Sequence, residues 1–492
     1  MQNHFTVRGV PTSLAMDGWW LNCSASALPA QDVETKNPAH FNIARKPWFP
    51  IFAALLLVLL ADFLFWQHNL GLSLVLYAFA IFGVSTLNLP AKQRIRPTVL
   101  LLLGGLPVVE YVQLLSLVFL CAALLVALVW AHGPNTQATK YIASAYRLLI
   151  TIPFSGARAL LGSFKSIRAD TKGNSARTVK RIARNWAFPI GGSLVFLTLL
   201  MDANPIFAQL LSLDLDFVPS INRVLFWLGM GLLIWPLIEG IRFDDREFAF
   251  LTTPKNLPNL GLNAGSVLRA LVMFNLLIGV QTLLDLSIFT GGTALPDGMT
   301  YASYAHRGAY PLVVTALLAG AFAIAARPFL GEHRWLKPLL MLWLLQNTVL
   351  CFSAGLRLDL YIEAYGLTYL RIRALIWMGV VAIGLSLTAW QILKAHSNRW
   401  LVLRCATLAV GVLYICCFVN FAALIATVNI VNNKTNANYL CDFGPTAARA
   451  IQDAAKATGQ PDYIWNTRAC GFQQHNIDGW RDWGVRKWRT HV

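Results

Sequence analysis

The residues best suited to chemistry gather in two polar stretches, 301–311 and 357–373, of a chain that is otherwise largely apolar. Arginine and tyrosine side chains can hold an anionic group, and histidine and carboxylate side chains can exchange protons. The candidate ligand-binding residues are Arg307, Tyr310, Arg357, Tyr361, Tyr365, Arg371 and Asp285, and the candidate acid–base residues are His306, Asp359 and Glu363. Asp285 joins the set because the apolar segment that contains it leads directly into the first stretch.

The spacing within 357–373 predicts a helix with two distinct polar faces. Arg357, Tyr361 and Tyr365 recur every fourth residue, and Asp359 and Glu363 are also four residues apart. A helix therefore places each set along one face. Two carboxylates so close repel each other unless a cation lies between them, and the nearby arginines are the nearest candidates for that role.

Two interpretations of these residues remain open at this point. In the first they form a boundary belt, because tyrosine sits well at the level of lipid headgroups and arginine extends its charged end to the interface. In the second they line one pocket open to the outer compartment, because ionisable residues at membrane depth are costly and by default indicate function.

The elements that position them are predicted to be membrane-spanning helices. Apolar residues make up 56% of the chain and charged residues only 13%, against about 25% charged in soluble proteins. Apolar runs long enough to cross a bilayer predict about eleven spans, and hence an all-α, polytopic transmembrane helix bundle. The predicted spans lie near 48–66, 70–90, 96–109, 111–131, 186–204, 221–241, 266–290, 309–327, 336–355, 370–392 and 400–429.

Some spans contain residues that weaken or complicate the prediction. Gly104, Gly105 and Pro107 interrupt the third, which favours a broken or re-entrant helix there. Amides within the spans are expected to hydrogen-bond neighbouring helices; they are Asn275, Gln281, Gln346 and Asn347.

Basic residues set the expected orientation, since short loops rich in lysine and arginine stay in the cytoplasm. The segment 132–184 holds ten of them against one acidic residue. The chain is then expected to have a cytoplasmic segment at 1–47, a membrane domain at 48–430 with the basic cytoplasmic loop at 132–184, and an extracytoplasmic tail at 431–492. The loop can lie against anionic lipid, serve only to set topology, or dock a partner.

Two cysteines in the tail, Cys441 and Cys470, are predicted to form a disulfide, because an extracytoplasmic compartment is oxidising. Free thiols are the alternative. Most of the other cysteines lie in apolar spans, where a thiol behaves as a small hydrophobic group.

Several classes of protein are excluded by missing motifs. The chain has no phosphate-binding loop, no zinc-protease motif and no paired C-x-x-C, and its nine histidines include no pair spaced to hold a metal. No metal and no cofactor are expected. A nucleic-acid partner is not expected either, because the net charge of +17 is spread between apolar spans rather than over a soluble face.

The stretch 358–373, with His306–Leu312, resembles a bacterial family of polytopic inner-membrane proteins catalogued only as a domain of unknown function. The tyrosines, the glutamate and Gly-Leu-Thr at fixed spacing carry the likeness. It extends over the region from the fifth span to the last and into Asp482-Trp483, and leaves the first 47 residues outside. The resemblance implies a multi-pass protein of the cell inner membrane, and no particular activity.

These features support competing functions. In the first, the outward-facing pocket binds an anionic lipid or lipid-linked envelope precursor, as an enzyme or as a lipid-handling protein. In the second, the carboxylates are proton sites of a secondary transporter. A non-catalytic membrane partner of a signalling system is a third. Membrane lipids are the expected partners in each case, with a small anionic ligand in the first.

Overall fold

A computed structural model describes residues 49–133, 141–150, 220–239, 263–289, 301–432, 437–459 and 479–490, together with isolated positions between these ranges. Every regular element in these ranges is helical. Five helices before residue 240 are α1 (Phe49–Phe65), α2 (Leu72–Thr86), α3 (Ala91–Glu110), α4 (Leu114–His132) and α5 (Ile221–Glu239). A short apolar helix, Tyr141–Ile150, lies between α4 and α5. The next five are α6 (Ala264–Phe289), α7 (Tyr301–Ala326), α8 (Leu336–Tyr365), α9 (Tyr369–Leu393) and α10 (Asn398–Phe418). Shorter helices follow as α11 (Phe421–Val431), α12 (Ala437–Cys441), α13 (Pro445–Thr458) and α14 (Val485–Thr490).

Six of these helices are long and apolar enough to cross a membrane, namely α4, α5, α6, α8, α9 and α10. Leucine, isoleucine and phenylalanine cover much of the outer surface of the bundle, as expected where lipid replaces water. The chain is therefore an all-helical, multi-pass membrane protein. Of the predicted fifth span, 186–204, the structure describes only eight scattered positions, all of them helical.

The helices pack around three groups of buried apolar side chains. The first joins α1 to α5 and includes Leu57, Leu101 and Ile238. The second joins α8 and α9 to the short helices α11 and α13, and the third joins α6, α7, α8 and α9. In the third, alanines spaced three or four residues apart from Ala316 to Ala326 let α7 approach α8 closely.

The interruption predicted in the third span is absent. Helix α3 runs unbroken through Pro97 and Pro107. Gly104 and Gly105 do not break it but face α4 and α2, where a side chain would collide with Ala123 and crowd Val75. Neighbouring helices cover this stretch, which is the condition under which a membrane helix tolerates proline.

The last predicted span, 400–429, is two helices rather than one. The structure has α10 ending at Phe418 and a separate helix, α11, beginning at Phe421. Val419 is extended, and the side chain of Asn420 accepts a hydrogen bond from the Ala423 N–H at 3.1 Å, which caps the new helix. With 11 residues, α11 is too short to cross a bilayer, which needs about 20.

Helix α8 is longer than predicted, since it continues through the polar residues to Tyr365. Gly366 then turns the chain with φ of +79°, a conformation that glycine adopts without strain. Asn429 of α11 holds the turn by bonding both the N–H and the carbonyl of Leu367. The stretch 357–373 is therefore the end of α8, a three-residue turn and the start of α9.

The end of the tail packs against the helices rather than standing apart from them. The Leu72 and Ser73 N–H groups at the start of α2 donate to the carbonyls of Trp483 and Arg481 at 3.0 and 3.1 Å. These tail carbonyls satisfy N–H groups that a helix start leaves without intrahelical partners. Arg486 is buried and pairs with Glu110 of α3 at 3.3 Å.

Candidate functional site

A buried ion pair between α6 and α8 is the main polar feature of the bundle. Asp285 and Arg357 have side chains only 3% and 4% exposed, and the guanidinium donates directly to the carboxylate. Asp285 lies one turn before the end of α6, and the extension of α8 brings Arg357 opposite it. Among the described residues this is the most deeply buried ion pair.

Two further donors complete the surroundings of the Asp285 carboxylate. The Ser353 hydroxyl donates to one carboxylate oxygen, and Gln281 Nε2 donates to the other at 2.8 Å. Three side chains therefore donate hydrogen bonds to the buried carboxylate. From the sequence, Gln281 is expected only to link helices, and Ser353 is not singled out, because their relation to Asp285 depends on which helix faces meet.

Arg371 forms a second cluster at the turn between α8 and α9. Its guanidinium lies over the Tyr361 ring, 4.3 Å from the centroid, and the Tyr361 and Tyr365 rings are 5.1 Å apart. It also donates to the carbonyls of Tyr365 and Gly366 at the end of α8. Tyr365 is 57% exposed. An arginine stacked on tyrosine at a helix end has the form of a boundary belt.

Asp359 and Glu363 lie elsewhere. Both are exposed, and Asp359 follows Arg357 by two residues, which is about 200° around a helix. The structure therefore does not bring these two carboxylates together with Arg357 and Asp285. The two faces expected from the spacing are present, but they point in different directions.

His306, Arg307 and Tyr310 lie in the first turns of α7, where only the backbone is described. Their side chains fall outside the described part of the chain, so their relation to Asp285 remains a prediction. Cys470 also falls outside it. Five cysteines within the helices are free thiols, and Cys441 is not one of them. The Cys441–Cys470 disulfide remains a prediction as well.

Sequence reasoning missed a polar contact at Asp62 on α1. Arg223 donates to this carboxylate through Nε at 2.8 Å, and Trp227 Nε1 donates to it at 2.8 Å. The signal available was a carboxylate within an apolar run, which requires a partner. Within the described ranges, no three His, Cys, Asp or Glu side chains come together as metal ligands would.

The fold and the site thus define the class of protein: it is a multi-pass helical bundle with a buried ion pair between two of its long apolar helices. A family model described as a domain of unknown function (DUF4153) matches residues 45–454, and the chain belongs to this family. The match begins ahead of the first predicted span and ends before Asp482, so it covers more of the first spans and less of the tail than the resemblance suggested. No curated protein and no solved structure matches the chain.

Proposed function

We propose that this chain is a proton-coupled secondary transporter of the bacterial inner membrane, with Asp285 and Arg357 at its working site. The observation that carries the proposal is the pair of opposite charges, 3% and 4% exposed, joining two apolar helices. Ionisable residues inside a membrane are rare and typical of proton relays and ion pathways.

The pair offers a physical link between protonation and helix movement. While Asp285 is ionised, Arg357 holds α8 against α6. A proton on Asp285 removes the attraction and leaves a buried cation, which is costly until it finds another partner or water. Protonation therefore favours a different arrangement of the two helices, and a transporter needs two such arrangements around one site.

Binding of an anionic lipid or lipid-linked precursor is the second candidate. What supports it is the cluster of Arg371, Tyr361 and Tyr365 at the α8–α9 turn, with Tyr365 exposed. His306, Asp359 and Glu363 would be its acid–base groups, and Arg307 and Tyr310 would assist in binding. It ranks second because Arg357, a central anion-binding residue of the predicted pocket, is already paired with Asp285. Nothing in the described residues favours a signalling role.

Matched variants separate the two candidates. Purified protein in liposomes containing a pH-sensitive dye would be given an inward proton gradient and a panel of amino acids, sugars and organic acids. We expect Asp285→Asn to abolish solute-linked proton entry, because it removes the titrating group. Glu363→Gln should retain it, because Glu363 is an exposed carboxylate of α8 on a different face from Arg357.

The opposite result, entry lost in Glu363→Gln and kept in Asp285→Asn, would move the proton site of the transporter to Glu363. No solute-linked proton entry with the unaltered chain would count against transport and leave the second candidate. Proton entry that survives Asp285→Asn would remove transport through this pair. Size-exclusion profiles of each variant show that it folds.

The topology belongs to the same proposal: about eleven spans, residues 1–47 in the cytoplasm, a membrane domain at 48–430 and residues 431–492 outside. What supports it is that Lys92, Arg94 and Arg96 lie at the start of α3, and that Arg334 and Lys337 lie at the start of α8, as expected of ends that stay in the cytoplasm. In the outer tail the Cys441–Cys470 disulfide is proposed too. A tryptic digest analysed without reductant should contain the two linked peptides; finding both thiols alkylated would refute the disulfide.

A further inference from the structure

Four buried polar atoms near the third apolar core have no hydrogen-bond partner within the described part of the chain. Three are amide oxygens and one is an indole N–H: Asn275 Oδ1, Gln346 Oε1, Asn347 Oδ1 and Trp343 Nε1. Asn275, Trp343 and Asn347 are 7%, 6% and 0% exposed. Buried polar groups in native proteins are nearly always satisfied by protein or by ordered water.

The amide groups are oriented by their other contacts. Asn275 Nδ2 donates to the carbonyls of Leu271 and Leu339 at 2.7 and 3.1 Å, and Asn347 Nδ2 donates to the carbonyl of Trp343 at 2.7 Å. Exchanging oxygen and nitrogen would place oxygen against oxygen. The unsatisfied atoms of both asparagines are therefore acceptors.

These residues lie along the two helices that carry the ion pair. Asn275 faces α8 from α6, and Gln346 packs beside Gly279, one turn further along α6 toward Asp285. On α8, Asn347 precedes Ser353 by six residues, a rise of about 9 Å. Ser353 in turn donates to Asp285. A few water molecules in a row span such a distance.

The mixture of atoms decides which occupant fits. A cation would suit the amide oxygens but not the indole N–H, and an anion would suit the N–H but not the oxygens. Water donates to the oxygens and accepts from the N–H, and a buried water needs several such partners. We propose that bound water occupies the polar row Asn275, Trp343, Gln346 and Asn347 and connects it to Asp285.

The role of this water as a proton route rests on the proposed function, whereas the hydration itself does not. In the proton step, an O–H bond of a hydronium ion in the row breaks, and the proton forms an O–H bond with the Asp285 carboxylate. Neutral water and a neutral carboxyl group remain, and Arg357 keeps its positive charge. No other reactant is needed.

Synchrotron X-ray footprinting of the whole protein in nanodiscs tests the hydration. Radiolysis of bound water produces hydroxyl radicals that oxidise adjacent side chains even where bulk solvent does not reach. Trp235 is the matched control, because it is also 6% exposed but packs in the first apolar core. We expect Trp343 to be oxidised several-fold faster than Trp235. Equal rates for the two tryptophans would overturn the proposal.

An apolar variant gives an independent measurement. In Asn347→Leu we expect slower oxidation of Trp343 and no gain in melting temperature, because the leucine displaces water that was bound. If no water is bound and Asn347 Oδ1 is unsatisfied, Asn347→Leu should raise the melting temperature and leave the oxidation rate of Trp343 unchanged. That result would overturn the proposal. Thr348→Val is the control, because the Thr348 hydroxyl already donates to its own helix at 2.9 Å.

The two proposals fail separately. Slow oxidation of Trp343 together with loss of proton entry in Asp285→Asn would remove the water row and keep the transporter. Rapid oxidation of Trp343 together with intact proton entry in Asp285→Asn would keep the water row and remove transport through Asp285.

Discussion

At the scale of single residues, Arg357 shows how much the surroundings of a charge matter. Read along the sequence it belongs to a polar stretch suited to the bilayer boundary, yet in the structure it is 4% exposed and paired with Asp285. Taking two ions out of water costs several kcal/mol each, and a close, well-bonded partner offsets that cost. Removing both charges together should therefore lower the free energy of unfolding by much less than the sum of the two single changes.

A double-mutant cycle measures this difference. We expect Arg357→Met and Asp285→Asn each to lower the free energy of unfolding by about 3–5 kcal/mol, and the double variant to lose much less than their sum. Reversible unfolding in mixed detergent micelles gives the values. The control pair is Arg449 and Asp453, 59% and 67% exposed, where the same treatment should cost about 0–1 kcal/mol. Additive losses at Asp285 and Arg357 would show that the two charges do not interact.

At the scale of helices, the glycines of α3 act in packing rather than in breaking the helix. A side chain on Gly104 would collide with Ala123 of α4, so the absence of a side chain lets the two backbones approach closely. In lipid, such close packing replaces the hydrophobic effect as a source of helix association. The run Gly-Gly-x-Pro therefore has a different meaning here than in a soluble chain.

Gly104→Ala should lower the free energy of unfolding by about 1–3 kcal/mol, the usual cost of overpacking. Gly83 on α2 provides the matched control, because nothing lies within 4 Å of a side chain built there. Gly83→Ala should be neutral or stabilising by up to about 1 kcal/mol, as alanine is the better helix former. The comparison is made by thermal unfolding in detergent, and equal effects at the two sites would contradict the packing role.

The helices themselves could largely be predicted from the sequence, because an apolar run in lipid must satisfy its backbone within a helix. Helices α1, α2, α4 and α6 begin and end within a few residues of their predicted bounds. The extension of α8 could not be predicted this way, since contacts with α6 and α11 stabilise its polar end. The pairing of Asp285 with Arg357 could not be predicted either, because hydropathy does not show which helix faces meet. The break at Val419 depends on the Asn420 cap, which resembles any other asparagine in the sequence.

At the scale of the whole molecule, the two ends of the bundle differ in chemistry. At one end lie the docked tail and three ion pairs: Asp62–Arg223, Glu110–Arg486 and Asp285–Arg357. At the other end, Arg94 donates to the carbonyls of Leu87 and Leu89 after α2, and Arg327 donates to the carbonyl of His396 after α9. The tail, whose Trp483 bonds Leu72 of α2 across more than 400 residues of sequence, thus lies at the end that we assign to the outside.

Labelling from outside the cell tests this assignment. Trp335 and Trp480 lie at opposite ends of the bundle and are 53% and 49% exposed, so a cysteine at either position is accessible from its own side. In intact spheroplasts, an impermeant maleimide should label Trp480→Cys and reach Trp335→Cys only after permeabilisation, because short basic loops remain in the cytoplasm. The unaltered chain gives the background from its native thiols. Labelling of position 335 alone would invert the orientation, and with it the side to which the proposed proton route opens. Labelling of both positions would mean that the two ends do not lie across one bilayer.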